Sequence, residues 1–177
     1  QLGAVSNAQP FSVTAPGISI PDNSIQIVPM FLPAGLDRIE QLEIEINGLS
    51  HAQPADLDCY LINPFGMTAE LMSDRGGALA IAGVDLTFAD GAAGVPSQDG
   101  PIVSVLYRPE GLHLGTDGGL SPLGLTGSGS DSWILLIVDD TVGGTGSFES
   151  FTIRGVGVPA AVPAIAACIF LIASSSA

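Results

Sequence analysis

The side chains able to do acid–base, nucleophilic or metal chemistry are few and unevenly spread. The chain has two histidines (His51 and His113), two cysteines (Cys59 and Cys168) and 18 acidic residues. Carboxylates occur in close pairs, Asp56 with Asp58 and Asp139 with Asp140. Paired carboxylates can cleave glycosides, but both pairs here are explained equally well by strand ends and turns. A nucleophile needs a base and an orienter within hydrogen-bond reach. Only the two imidazoles could be that base, and no Gly-x-Ser-x-Gly elbow is present. Zinc is disfavoured by dispersed His and Cys. The expectation is a chain that is not an enzyme.

Charge narrows the classes further. Four arginines (Arg38, Arg75, Arg108, Arg154) and no lysine leave a net charge of -14. Phosphate recognition needs clustered cations, so nucleic acid is excluded as a partner, and anionic lipid surfaces are disfavoured. Like charge keeps such a surface solvated. Some of the carboxylates could instead converge on calcium, a hard cation that takes six to eight oxygen ligands.

The elements that must position these groups are short. The 23 Gly and 13 Pro fall largely between brief apolar runs, the pattern of an all-β chain with many turns. The clearest strand is Ile39 to Ile46, with Leu42, Ile44 and Ile46 on one face and Gln41, Glu43 and Glu45 on the other. Asn47-Gly48 is expected to break it. In the next strand, Asp56 to Ile62, Cys59 alternates with Leu57 and Leu61 and reads as a small buried residue. A Cys59–Cys168 bridge would need the C-terminal tail to fold back or to reach a neighbouring molecule. Asn63-Pro64-Phe65-Gly66 has the composition of a type I turn, and Thr68 to Met72 returns as a hairpin partner.

Trp133 to Val138 is continuously apolar and too short for a typical helix, so it is expected as a strand buried on both faces. Thr141 to Gly146 tolerates positive φ. Ser147 to Ile153 then alternates, and the two limbs read as a β-hairpin with Asp139-Asp140 at its bend. Together these runs imply a two-sheet antiparallel β-sandwich. The expected division is an N-terminal arm (1–17), exposed from Gln1 to Pro10 and with a short strand at Phe11 to Thr14, then the sandwich (18–154) and a Pro-containing linker with an apolar tail (155–177).

Several segments, in order, resemble the P domain (Homo B domain) that follows the catalytic domain of kexin- and furin-like subtilisin proteases and occurs in many bacterial secreted proteins. They are Ile20-Pro21-Asp22-Asn23, His51 with Asp56-Leu57, Asn63-Pro64-Phe65-Gly66, Asp74-Arg75-Gly76-Gly77, Phe88-Ala89-Asp90-Gly91-Ala92, Tyr107-Arg108-Pro109-Glu110-Gly111 and Trp133 through Ile153. The resemblance implies a jelly-roll-like sandwich, a secreted or cell-surface location and a non-catalytic role. It also implies calcium as a cofactor, with Asp56, Asp74 and Asp90 at acidic loop positions and Asp139 at the last bend. His51 matches a structural histidine, and Trp133 becomes a core anchor. No protease domain accompanies these motifs, and a chain starting at Gln1 is expected to have lost a signal peptide.

The tail is the remaining signal. Val158-Pro159-Ala160-Ala161-Val162-Pro163 reads as an extended linker, and Ala164 to Ala173 is wholly apolar. It resembles, remotely, the Val-Pro-x-Pro sorting anchors of exported bacterial proteins, without their acidic residue or following basic cluster. As a helix, Ala164 to Ala173 reaches about 15 Å, half the bilayer core. Docking in a groove of the next molecule is the other reading, through Ile165, Ile169, Phe170, Leu171 and Ile172. Head-to-tail contacts of that kind build filaments. The expected partners are therefore copies of itself or other extracellular proteins, with membrane contact only through the tail. The competing expectations are an accessory domain of a secreted subtilisin-like protease and a membrane-anchored surface protein.

Overall fold

The computed structural model describes residues 7–112 and 132–161. Within them the strands are β1 (Gln9–Pro16), β2 (Ser19–Ile20), β3 (Ile25–Phe31), β4 (Leu36–His51), β5 (Leu57–Ile62), β6 (Thr68–Ser73), β7 (Ile81–Phe88), β8 (Leu106–Tyr107), β9 (Gly111–Leu112), β10 (Ser132–Asp139), β11 (Gly146–Ser147) and β12 (Ser150–Pro159). A 3-10 turn, Pro54–Asp56, leads into β5. One sheet runs β1-β12-β4-β11-β2, with β7 on β4 and β8 beyond it; the other runs β3-β10-β5-β6-β9. All pairs are antiparallel except the short β7–β8 pair. The expected all-β, two-sheet antiparallel sandwich is what forms. No helix of the described residues is long and apolar enough to cross a membrane.

Alternation along each strand assigns one set of side chains to the space between the sheets. Ile44 and Ile46 of β4, Phe151 and Ile153 of β12, and Leu86 and Phe88 of β7 come from the first sheet. Leu57, Cys59 and Leu61 of β5, with Trp133, Leu135 and Ile137 of β10, meet them from the second. Trp133 and Cys59 are both core residues, as expected. On the solvent side of the first sheet, Glu43 and Glu45 flank Arg154 of β12, at 2.7 and 2.5 Å.

Four local expectations are corrected. Trp133–Val138 and Ser147–Ile153 do not form a hairpin: β10 pairs with β3 and β5, whereas β11 and β12 belong to the opposite sheet. Both limbs bury one face, and periodicity alone cannot distinguish strands bonded edge to edge from strands packed face to face. Nor is β10 buried on both sides, since Ile134, Leu136 and Val138 point outward and are only half-buried. Asn47-Gly48 does not end β4. It makes a bulge, with Gly48 at φ +66°, and the strand continues to His51. Finally, Gln9 and Pro10, read as the end of an exposed arm, belong to the strand expected at Phe11–Thr14, which runs Gln9–Pro16 and is paired along its whole length with Ser150–Gly157 of β12.

Asn63-Pro64-Phe65-Gly66 forms the expected tight turn joining β5 to β6. Its side chain explains why Asn is suited to lead it: Asn63 Oδ1 accepts from Phe65 N–H at 3.0 Å and Met67 N–H at 2.9 Å. Gly66 closes the turn at φ +80°.

Candidate functional site at the buried acidic end

The inward phase of β10 (Trp133, Leu135, Ile137) runs on to Asp139, so its carboxylate is carried into the core with only 1% exposure. His51, the last residue of β4, enters from the facing sheet and is equally buried. Its Nε2 lies 3.1 Å from Asp139 Oδ2. An ionised carboxylate only accepts, so Nε2 carries a proton. Nδ1 faces Gln53 O at 2.8 Å and Gln53 N at 3.2 Å. A neutral ring accepts from that N–H, and a charged one donates to the carbonyl.

The bend after β10 lies flat on this imidazole. A Cβ on Gly146 would stand 2.3 Å from His51 Cδ2, and one on Gly144 would stand 3.0 Å from Cε1. Asp22 holds the same bend, its Oδ1 accepting from Gly143 N–H at 2.9 Å and Gly144 N–H at 3.4 Å. Asp139 N–H donates to Ser24 O at 2.8 Å, and Asp140 N–H to Asp56 O at 3.1 Å. Both ring nitrogens of His51 are therefore engaged and covered, and the residue works as a clamp. In the sequence Asp22 is marked only as part of Ile20-Pro21-Asp22-Asn23. Its signal was an acidic side chain two residues after Ile20, whose partner glycines lie more than 100 residues away.

Around the clamp, carboxylates crowd. Asp56, at the end of the 3-10 turn, is 9% exposed. Burial pushes its pKa above the ordinary value, and the neighbouring charges of Asp139, Asp140 and Asp22 add to this while His51 opposes it. Asp74 is raised in the same way, by burial first and then by Asp58, Asp140, Glu110 and Asp56. Asp56 Oδ2, Asp58 Oδ1 and Asp139 Oδ1 are buried without a hydrogen-bond partner. Each such orphan costs stability unless something else satisfies it.

Of the four aspartates expected at a calcium site, Asp56 and Asp139 come together here, and Asp74 feels Asp56 across the same end. Asp90 does not join them. It follows Phe88 at the far end of β7, whereas the clamp lies beside Ile81, paired with His51. The seven steps between are roughly 23 Å of strand. Among the described residues no three His, Cys, Asp or Glu side chains converge as a ready metal site. The orphan oxygens fit a hard cation by type, with backbone carbonyls and water completing the shell.

The other motifs pin the excursion between β7 and β9. Arg75 holds Glu110 through two bonds, its Nε at 2.7 Å from Oε1, and Ser73 N–H donates to the same oxygen at 2.9 Å. Gly76, at φ +92°, packs where a Cβ would strike Ile102 and Pro54. The Tyr107 ring lies tilted beside that of Phe88, and its hydroxyl donates to Val103 O at 3.1 Å. His113, Cys168 and the proposed docking residues Ile165, Ile169, Phe170, Leu171 and Ile172 lie outside the described residues.

A second surface draws notice by its composition. The outward phase of β3 exposes Ile25 (65%), Ile27 (60%) and Phe31 (59%), with Pro29 between them. Cross-strand register sets Val138 beside Ile25, Leu136 beside Ile27 and Ile134 beside Pro29. Tyr60 and Ile62 of β5 extend the rows next to Leu136 and Ile134, and Asp58 stands beside Val138. The solvent face of the first sheet thus carries charge along β4 and β12, while that of the second is aliphatic along β3 and β10 and turns polar at Asp58 and Glu70.

The fold defines the class: an all-β, two-sheet antiparallel sandwich. No protein-family model and no curated protein matches the sequence. Similar solved structures include the serine protease of Aeromonas sobria, at 16% identity and TM-score 0.44, over 82% of this chain and 27% of that one. Another is the complex of Aeromonas sobria serine protease with the chaperone ORF2, at 16% identity and TM-score 0.39, over 84% and 27%. The chain therefore spans about a quarter of the length of the structures it matches.

Proposed function

We propose that this chain is a non-catalytic, P-domain-like module that works outside the cell by associating with copies of itself. One observation carries the reading: the apolar solvent face of β3 and β10, opposite a sheet whose own solvent face is charged. A contiguous aliphatic surface of this kind marks an interaction site. The extracellular placement rests on the motif resemblance. The clamp of His51 under the glycine bend supports a structural use of the one described histidine. Light scattering and electron microscopy of the full chain test the proposal. Assemblies larger than one chain are expected, and a monodisperse monomer at micromolar concentration refutes it.

The orphan carboxylate oxygens favour a second role for the opposite end, calcium binding through Asp56 and Asp139, with Asp74 nearby. Calcium would neutralise the crowded charge and tie the β10–β11 bend to the 3-10 turn. Melting should then be higher in millimolar calcium than in EDTA, and equal melting in the two removes the site. The competing reading, an accessory domain of a secreted subtilisin-like protease, draws on the same motifs. It requires a protease domain encoded upstream of Gln1 in the same frame. A membrane-anchored role would show as tail-dependent membrane fractionation.

A further inference from the structure

We propose that the aliphatic face of β3 and β10 seats the C-terminal apolar segment, Ala164 to Ala173, of a second copy of this chain. The inference rests on the self-association reading and names its two halves. Charge selects the occupant. Two bodies of net charge -14 repel, so the favourable contact joins uncharged surface to an uncharged segment. The rows Ile27–Leu136–Tyr60 and Pro29–Ile134–Ile62 carry no formal charge; Asp58 borders the patch beside Val138, and Glu70 borders it beyond Tyr60. Residues 164–173 contain no polar side chain apart from the weakly polar thiol of Cys168.

Direction selects the neighbour over the chain's own face. Ala160 N–H donates to Gly35 O at 2.8 Å, so the chain leaves the sandwich beside the turn that follows Phe31. β3 runs toward that exit, and a tail returning over its own β3 would have to reverse at once. Pro159 and Pro163 each bias the residue before them toward extended backbone, which disfavours an immediate reversal. The seven residues of β3 span roughly 23 Å, and ten extended residues, at roughly 33 Å, cover it. The contact is made to the face and not by lengthening the ladder, because β3 is an edge strand with Pro29, which has no N–H, at its centre. Such a contact is heterologous and open-ended, and repeats along a filament.

The test uses the full chain and its Ile27→Ser/Phe31→Ser variant, both sites being exposed, with Trp133 fluorescence reporting the fold. Light scattering should show wild-type assemblies and a variant reduced to monomer. A wild-type monomer overturns the self-association reading itself. A variant that assembles like wild type leaves that reading standing and overturns this one. Ile27→Cys adds a second measurement, since mild oxidation should join it to Cys168 of a neighbour and give a multimer ladder on non-reducing gels. Cys59 is fully buried, its thiol pushed up to about 12, and should stay silent. A bridge confined to monomers means the tail docks on its own chain and overturns the proposal. So does flotation of wild type and variant alike with neutral phosphatidylcholine vesicles.

Discussion

Replacing His51 by Leu should be among the most damaging single changes in the sandwich, and replacing Asp139 at the same time should repair most of it. Both side chains of the pair are fully buried. Removing the imidazole leaves Asp139 with Oδ2 unpaired as well as Oδ1, near the charges of Asp56 and Asp140. Breaking a buried ion pair from one side costs about 3–5 kcal/mol. Against a total of about 5–15 kcal/mol for a typical domain, that is a third or more of the stability. With a urea slope of about 2 kcal/mol per molar, the midpoint should fall by about 2 M. The double variant His51→Leu/Asp139→Leu removes both polar side chains, which follow the core residues Leu49 and Ile137 along their strands. Substituting apolar residues for a whole buried pair is often close to neutral, so its loss should be much smaller than the sum of the two singles. Urea denaturation in EDTA, on all four forms, measures the coupling. Additive losses, or a His51→Leu cost below about 1 kcal/mol, would refute the reasoning that this pair clamps the bend.

Trp133→Ala should cost about 3–5 kcal/mol, because a large inward side chain of the central strand β10 is lost between the sheets; chemical denaturation checks it, and a loss under 1 kcal/mol means the site is not core. Asp56→Asn should raise the melting temperature in EDTA at pH 7. The folded pKa of Asp56 lies above its ordinary 3.8, so the native state holds the proton more tightly. This group's contribution therefore improves as pH falls from the raised folded value toward 3.8. The gap between Asp56→Asn and wild type should be widest at neutral pH and close in acid. A gap that grows on acidification contradicts the assigned direction.

Legibility in the sequence followed the range of the physical signal. Leu42, Ile44 and Ile46 against Glu43 and Glu45 identified a strand with one buried face, since side-chain alternation is a property of the strand itself. Asn63 to Gly66 identified a turn, because its preferences act within four residues. The Trp133 segment shows the limit. Its apolar inner face was readable, but its pairing with Phe31–Ile25 and Ile62–Leu57 was not. The outward Ile134, Leu136 and Val138 looked like a second buried face because their hydrophobicity carries no record of what covers them.

The candidate site divided in the same way. Asp56, Asp74 and Asp139 were found through motif resemblance, and the fold gathers them at one end. Asp90, equally acidic and beside equally suitable glycines, was carried by β7 to the other end. The sequence by itself determined that this is a β-sandwich with two histidines, an acidic composition and an apolar tail. Those properties are set by composition and short-range periodicity. Only the tertiary structure decided that His51 lies under a glycine bend against Asp139, and that the two limbs of the Trp133 segment face each other across the core. It alone showed that one sheet turns an aliphatic face to solvent. Each of these depends on which distant strands become neighbours, a choice made by the packing of the whole core.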